Sequence, residues 1–147
     1  MFMKVRFLIV VLTLGVAFLI SCNNPGGSDS QSTPTSGLVV LQAAVSFTSS
    51  NPITAYLRSD FFIDGTFVVH LESSDSGTNG SDSVEYEIAM PIGTHSVASS
   101  GTYGTSQSGS AAFSKSAVQL SIAGGQTTVY RLLSTGGSTP AIQTSQY

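Results

Sequence analysis

Beyond residue 37 the chain alternates apolar and polar positions with a period of two, the pattern of half-buried β-strands. Residues 38–47 open this pattern and are apolar on both faces over Leu38-Val39-Val40-Leu41. Asn51-Pro52 then punctuates the chain. Over residues 53–63, Ile53, Ala55, Leu57, Phe61 and Ile63 share one face, and Thr54, Arg58 and Asp60 the other. Asp64-Gly65 follows, a pair suited to a two-residue type I′ turn because both positions need φ > 0. Residues 66–72 return with Phe67, Val69 and Leu71 on one face and Thr66, His70 and Glu72 opposite. The two runs read as a β-hairpin.

The polar stretch Ser73 to Ser83 reads as a loop around Asn79-Gly80. Val84, Tyr86, Ile88 and Met90 then alternate with Glu85, Glu87 and Ala89, and Pro91-Ile92-Gly93 turns the chain. Residues 94–100 form a weaker strand, and Gly101 to Ser110 reads as a loop around Tyr103. A short strand near Ala111–Lys115 leads towards Val118, Leu120 and Ile122. Gly124-Gly125 is a second candidate hairpin turn, after which residues 126–133 alternate again. The segment 134–147, with Gly136, Gly137 and Pro140, reads as a disordered tail. Seven or eight short strands with turn signals at this spacing predict an all-β fold: an antiparallel β-sandwich, Ig-like or prealbumin-like, over residues 38–133. A transmembrane barrel is the rival, since the chain ends on the aromatic Tyr147. Spanning strands need about 9–11 residues, and most of these offer fewer. Faces bearing Arg58, Asp60, Glu85 and Glu87 also do not suit lipid.

Nothing of this pattern holds before residue 38. Lys4 and Arg6 precede an apolar run from Phe7 to Ile20, which ends at Leu19-Ile20-Ser21-Cys22. Charge, apolar run and small residue in that order make a secretory signal. As a helix the run would reach only about 21 Å, short of a hydrocarbon core of roughly 30 Å, which argues against a permanent span. The sole cysteine, directly after the cut, makes these four residues resemble a bacterial lipobox. That resemblance implies a signal peptide over 1–21 and an acylated Cys22 as the lipid attachment residue (a palmitate-type chain among several). One chain binds a membrane marginally, while two or more hold firmly. A signal peptide followed by a coincidental cysteine is the alternative. Residues 22–37 read as the lipidated cysteine and a flexible linker: Pro25, Gly26, Gly27 and Pro34 stand among Ser, Thr and Gln, with no large apolar residue before Leu38.

Composition narrows the function classes. Removing residues 1–21 leaves Arg58, Lys115 and Arg131 against eight carboxylates, a net charge of −5. A sparse, acidic balance cannot supply the basic footprint of nucleic-acid binding. One cysteine permits no internal disulfide.

Three phrases carry a further resemblance: Phe62-Ile63-Asp64-Gly65, Pro91-Ile92-Gly93-Thr94-His95-Ser96-Val97 and Ala123-Gly124-Gly125-Gln126-Thr127-Thr128-Val129. Their order resembles the landmarks of PEGA-like modules, small prealbumin-like β-sandwiches of bacterial surface proteins. The chain departs from that pattern in lacking the Thr-Pro step after the Asp-Gly turn, and residues 73–83 look inserted. The resemblance implies a non-enzymatic envelope module and supplies no binding residues.

Candidate chemistry is thin. Asp75, Asn79 and Gly80 fit positions one, five and six of a calcium loop, but Gly77 fails at three and Tyr86 at twelve. His70 and His95 have no metal-ligand spacing. No serine sits in a Gly-x-Ser-x-Gly elbow, which leaves a small hydrolase only through a triad assembled from distant positions. Glu85 and Glu87 share a face and read as a solvated strand surface rather than a glycosidase pair. Tyr56, Phe62 and Tyr130 fall on the outward phase, with Tyr103 on the long loop, as candidate stacking groups for a sugar or a partner protein. The expectation is thus an exported lipoprotein, without cofactor or metal, bound to the bacterial membrane (the outer membrane, since Asn23 rather than Asp follows the cysteine). Its sandwich would bind a protein or glycan rather than catalyse. The alternative is a structural or assembly subunit of an envelope complex, in which sheet edges pair with partner strands.

Overall fold

In the computed structural model, described over residues 33–147, the chain is all-β, and its six strands form one mixed sheet. They are β1 (Ser36–Ile63), β2 (Thr66–Pro91), β3 (Gly93–Thr105), β4 (Gly109–Ile122), β5 (Thr127–Thr135) and β6 (Ala141–Gln146). The segment read as a signal peptide, Cys22 and most of the expected linker lie outside the described residues. Ser36 and Gly37, read as the end of the linker, already belong to β1.

The frame is one long hairpin. Asp64 and Gly65 take the turn with φ of 50° and 77°, as their sequence demands. From that turn β1 and β2 pair antiparallel almost to their far ends, Ser36 against Pro91. The polar stretch 73–83, read as a loop, is part of β2. Its side chains alternate too weakly to announce a strand, but its backbone is ordered by the apolar β1 beside it. A register shift between Thr48 and Ile53 leaves residues 49–52 unpaired with β2, and Pro52 sits at this irregularity, where a missing N–H costs nothing.

That irregularity divides the sheet. The first half of β1 pairs with β5, and the second half pairs with β3, which pairs in turn with β4; β6 borders β5. The sheet curls so that both halves contribute to one core. Val39, Leu41, Ala43 and Val45 of the first half meet Leu57, Phe61 and Ile63 of the second, with Val97, Leu120, Tyr130 and Leu132. Phe61 and Tyr130 meet edge to face across the halves, their ring centroids 6.0 Å apart.

The pairing of β1 with β5 is parallel, which corrects the expectation of a purely antiparallel arrangement. It also corrects the reading of Gly124-Gly125 as a hairpin turn. That turn carries the chain from β4, at one border of the sheet, to β5 in the other half. The physical reason lies in β1: its run apolar on both faces buries Val39, Leu41, Val40 and Ala44 alike and takes the central position, with a neighbour on each edge. Gly37 lets the crossover approach, since a Cβ there would collide with the Ala123 carbonyl. The segment Gly101 to Ser110 is strand up to Thr105 and again from Gly109, joined by a turn in which the Ser108 amide donates to Thr105 Oγ1 at 2.9 Å. The tail is not disordered throughout: Gly136 and Gly137, at φ 59° and 77°, turn the chain into β6, which pairs with β5. Strand merging and this extra strand give six strands rather than seven or eight.

Candidate functional site

The outward face of the first half presents the site. Register places Glu85 of β2, Gln42 of β1, Arg131 of β5 and Gln143 of β6 in one row across four strands. With strands about 4.8 Å apart, that row spans roughly 14 Å. Beside it runs a second row, Glu87, Val40, Val129 and Ser145. These side chains, with Thr144 and Tyr147, line a groove of about 430 Å³. Its lining is mostly polar; Val40 and Val129 are its aliphatic residues, and Val40 is buried although it points away from the core.

Long planar polar groups lie along the groove. Gln42 Nε2 donates to Glu85 Oε2 at 3.4 Å. Among the described residues Arg131 is the only cation of the groove, and its Nε is buried without a hydrogen-bond partner there. A buried donor left unpaired costs about 1–3 kcal/mol, so this position is poised to bond an incoming acceptor. Tyr147 stands at the C-terminal end of the groove, 77% exposed, held by reciprocal backbone hydrogen bonds with Thr127 at 2.9 and 3.0 Å.

The outward face of the second half carries a different arrangement. His70 lies between two carboxylates, its Nδ1 2.6 Å from Asp60 Oδ1 and its Nε2 3.2 Å from Glu72 Oε1. Only the imidazolium, with two N–H donors, satisfies both. The Asp60 hydrogen bond, aided by Glu72, raises the His70 pKa above its ordinary value. Arg58 Nε reaches the same Glu72 oxygen at 3.2 Å, and its guanidinium lies 5.6 Å from the Tyr56 ring centroid. The carboxylates hold opposite nitrogens of one ring, so the three groups do not converge on a point. No cluster of three or more metal-ligating side chains with such convergence occurs among the described residues.

His95 repeats the device at the hairpin tip. Its Nδ1 lies 2.7 Å from Asp64 Oδ2 and its Nε2 3.1 Å from the Pro91 carbonyl. The Asp64 hydrogen bond raises its pKa, and the same contact, with the Ser96 amide donating at 2.8 Å, lowers that of Asp64. Asp64 therefore ties the hairpin tip to β3 as well as making the turn.

The aromatic candidates divide. Tyr56 and Phe62 do lie on the outward face, Phe62 edge to face with the exposed Phe67 at 5.9 Å. Tyr130 does not: it is fully buried, 0% exposed, with its hydroxyl 3.4 Å from Ser99 Oγ, and burial pushes its pKa up. Phase alone misplaced it, because in β5 Thr128, Tyr130 and Leu132 turn inward while Val129, Arg131 and Leu133 turn out. Tyr103 lies in β3 rather than on a loop, packed on Phe113, its hydroxyl 2.8 Å from Thr139 Oγ1. Asp75 and Asp82 serve their own strand: Asp75 Oδ1 accepts from the Ser76 amide at 2.8 Å and Asp82 Oδ2 from the Ser74 amide at 3.1 Å. Sequence reasoning missed Gln42, Arg131 and Gln143, whose only signal is a polar residue recurring at one register position. Cys22, expected from the sequence as the lipid-attachment residue, lies outside the described residues.

No protein-family model and no curated protein matches the chain. A solved structure of a "putative cell adhesion protein" from Bacteroides ovatus aligns with 76% of this chain at 11% identity and a TM-score of 0.35. This chain spans 44% of that one. No helix among the described residues is long and apolar enough to cross a membrane, which says nothing of strands.

Proposed function

We propose that the chain is a bacterial envelope lipoprotein, anchored by an acylated Cys22 and tethered by a flexible linker. Its β-domain, read as a two-layer sandwich, binds a neutral glycan and does not catalyse. The supporting observation for the ligand is the row Glu85–Gln42–Arg131–Gln143 along a mostly polar groove. Sugar hydroxyls both donate and accept. A line of carboxylate, amide and guanidinium groups offers both roles, and the half-buried Val129 can face the C–H side of a pyranose. Tyr147 supplies a stacking ring at one end. One cation against Glu85 and Glu87 leaves the groove net negative, which favours uncharged sugars over sulfated or uronic ones.

The anchor reading rests on Leu19-Ile20-Ser21-Cys22, and Asn23 after the cysteine favours the outer membrane. Two measurements test the proposal. The Cys22→Ala chain should leave the membrane fraction, and its retention there would overturn the anchor. Isothermal titration against neutral oligosaccharides should show binding that Arg131→Ala weakens at least about tenfold, the scale of one lost charge-assisted hydrogen bond. Binding indifferent to Arg131, or confined to anionic sugars, would overturn the ligand.

A further inference from the structure

Strand β2 borders both halves of the sheet, and among the described residues only β1 pairs with it. Its free edge differs along its length. In the second half, the Thr54 carbonyl bonds towards the β3 side, to the Ser106 amide. Alternation then directs even-numbered residues of β2 outward, and the Ser74 and Ser76 amides are closed off by the Asp82 and Asp75 carboxylates. In the first half, the Leu38 amide and the Ser46 carbonyl bond towards the β5 side. There the odd residues of β1 bond β2, pairing with even residues such as Val84, Tyr86 and Ile88. The backbone groups of Ser83, Glu85, Glu87 and Ala89 therefore point to the open edge. No side-chain hydrogen bond caps their amides among the described residues.

The same stretch leaves core-facing apolar surface uncovered. Val84 and Tyr86 lie on the core side, opposite Ala43 and Leu41, yet are 36% and 39% exposed. An edge with unpaired backbone and exposed apolar side chains is a template for strand addition. The charge on β2 selects the occupant. The strand carries Glu72, Asp75, Asp82, Glu85 and Glu87 and no Lys or Arg. A second copy's β2 would set carboxylates against carboxylates, which is unfavourable.

We infer that the edge Ser83–Ala89 accepts an extended segment of a basic partner protein, with apolar residues over Val84 and Tyr86 and Lys or Arg opposite Glu85 and Glu87. This inference does not rest on the glycan reading, but the two surfaces share the Glu85 and Glu87 side chains, which also line the groove.

The test uses the full chain in detergent and a capped nine-residue peptide alternating Val or Ile with Lys. Hydrogen exchange should slow at the Ser83, Glu85, Glu87 and Ala89 amides. Those of Val84, Tyr86 and Ile88, already in the ladder, should change little. Replacing Lys by Glu in the peptide should weaken binding about tenfold, the scale of two reversed cross-strand charge pairs. A Glu85→Lys/Glu87→Lys chain should reverse that preference, and Tyr86→Lys should abolish binding. Absent binding, binding without the odd-numbered protection, or binding indifferent to the charge swap overturns the inference. Concentration-dependent dimerisation of the chain alone, with the same protection, overturns the choice of occupant.

Discussion

Each histidine has both ring nitrogens against acceptors, so protonation and structure are coupled at the residue scale. A raised folded-state pKa means that the stabilising contribution is fully present below the ordinary histidine value of about 6.5 and is lost as pH climbs through the raised native value. Asp64 runs the other way: its contribution is present above the ordinary carboxylate value and is lost as pH falls through its lowered one. The Asp64–His95 contact is therefore at full strength between about pH 4 and 6.5. In an NMR titration both imidazole resonances should show midpoints above 6.5, and Asp60→Asn should lower that of His70 while leaving His95 unchanged. A His70 midpoint at or below 6.5 in the unaltered chain would contradict the two-carboxylate geometry. Neither clasp was legible beforehand. Asp60 and His70 are ten residues apart, Asp64 and His95 thirty-one, and only the hairpin register and the β3 docking bring them together.

At the scale of elements, legibility followed how much each strand buries. The hairpin turn at Asp64-Gly65 and the run 53–63 were plain, because one face is core and the turn requires φ > 0. Residues 73–83 and 141–146 were not. As border strands they take their order from a neighbour's backbone and bury few side chains, so no period-two apolar signal is needed. Strand β6 shows this directly: Ile142 is its only large apolar residue, packed against the core beside Leu132. Removing residues 141–147 should thus act as the loss of a strand and not of a tail. It strips the β5 edge, removes the Ile142 cover from Leu132 and takes away the far side of the groove. A fall in thermal midpoint, with aggregation on heating as β5 becomes an unpaired edge, is the expected outcome. An unchanged melt would mean that β6 contributes nothing to the fold. The candidate site was hidden for a related reason. Gln42, Arg131 and Gln143 are isolated polar residues on three strands, and their alignment depends on a parallel pairing that no local turn encodes.

Over the described residues the two halves of the sheet share strands and a core. Both contain β1 and β2; the Phe61–Tyr130 contact joins them across the core, Phe47, Ile53 and Ala55 pack together at the corner, and the Ser73 hydroxyl donates to the Asp82 carbonyl at 2.9 Å. A core shared in this way predicts one unfolding transition rather than two. Leu41→Ala in the first half and Phe61→Ala in the second should each lower the same transition, by about 2–5 and 3–5 kcal/mol respectively. The measurement is urea denaturation followed by far-ultraviolet circular dichroism and by tyrosine fluorescence, which reports the buried Tyr130 among others. The two probes should coincide in the unaltered chain and in both variants. Were Leu41→Ala to melt the β2–β1–β5–β6 half while leaving a residual β3–β4 transition, the halves would be separate folding units. The long hairpin would then be a linker between them, and the two outward faces, the polar groove and the charged histidine face, could move independently. A single transition instead fixes the groove, the open edge of β2 and the histidine face in one frame.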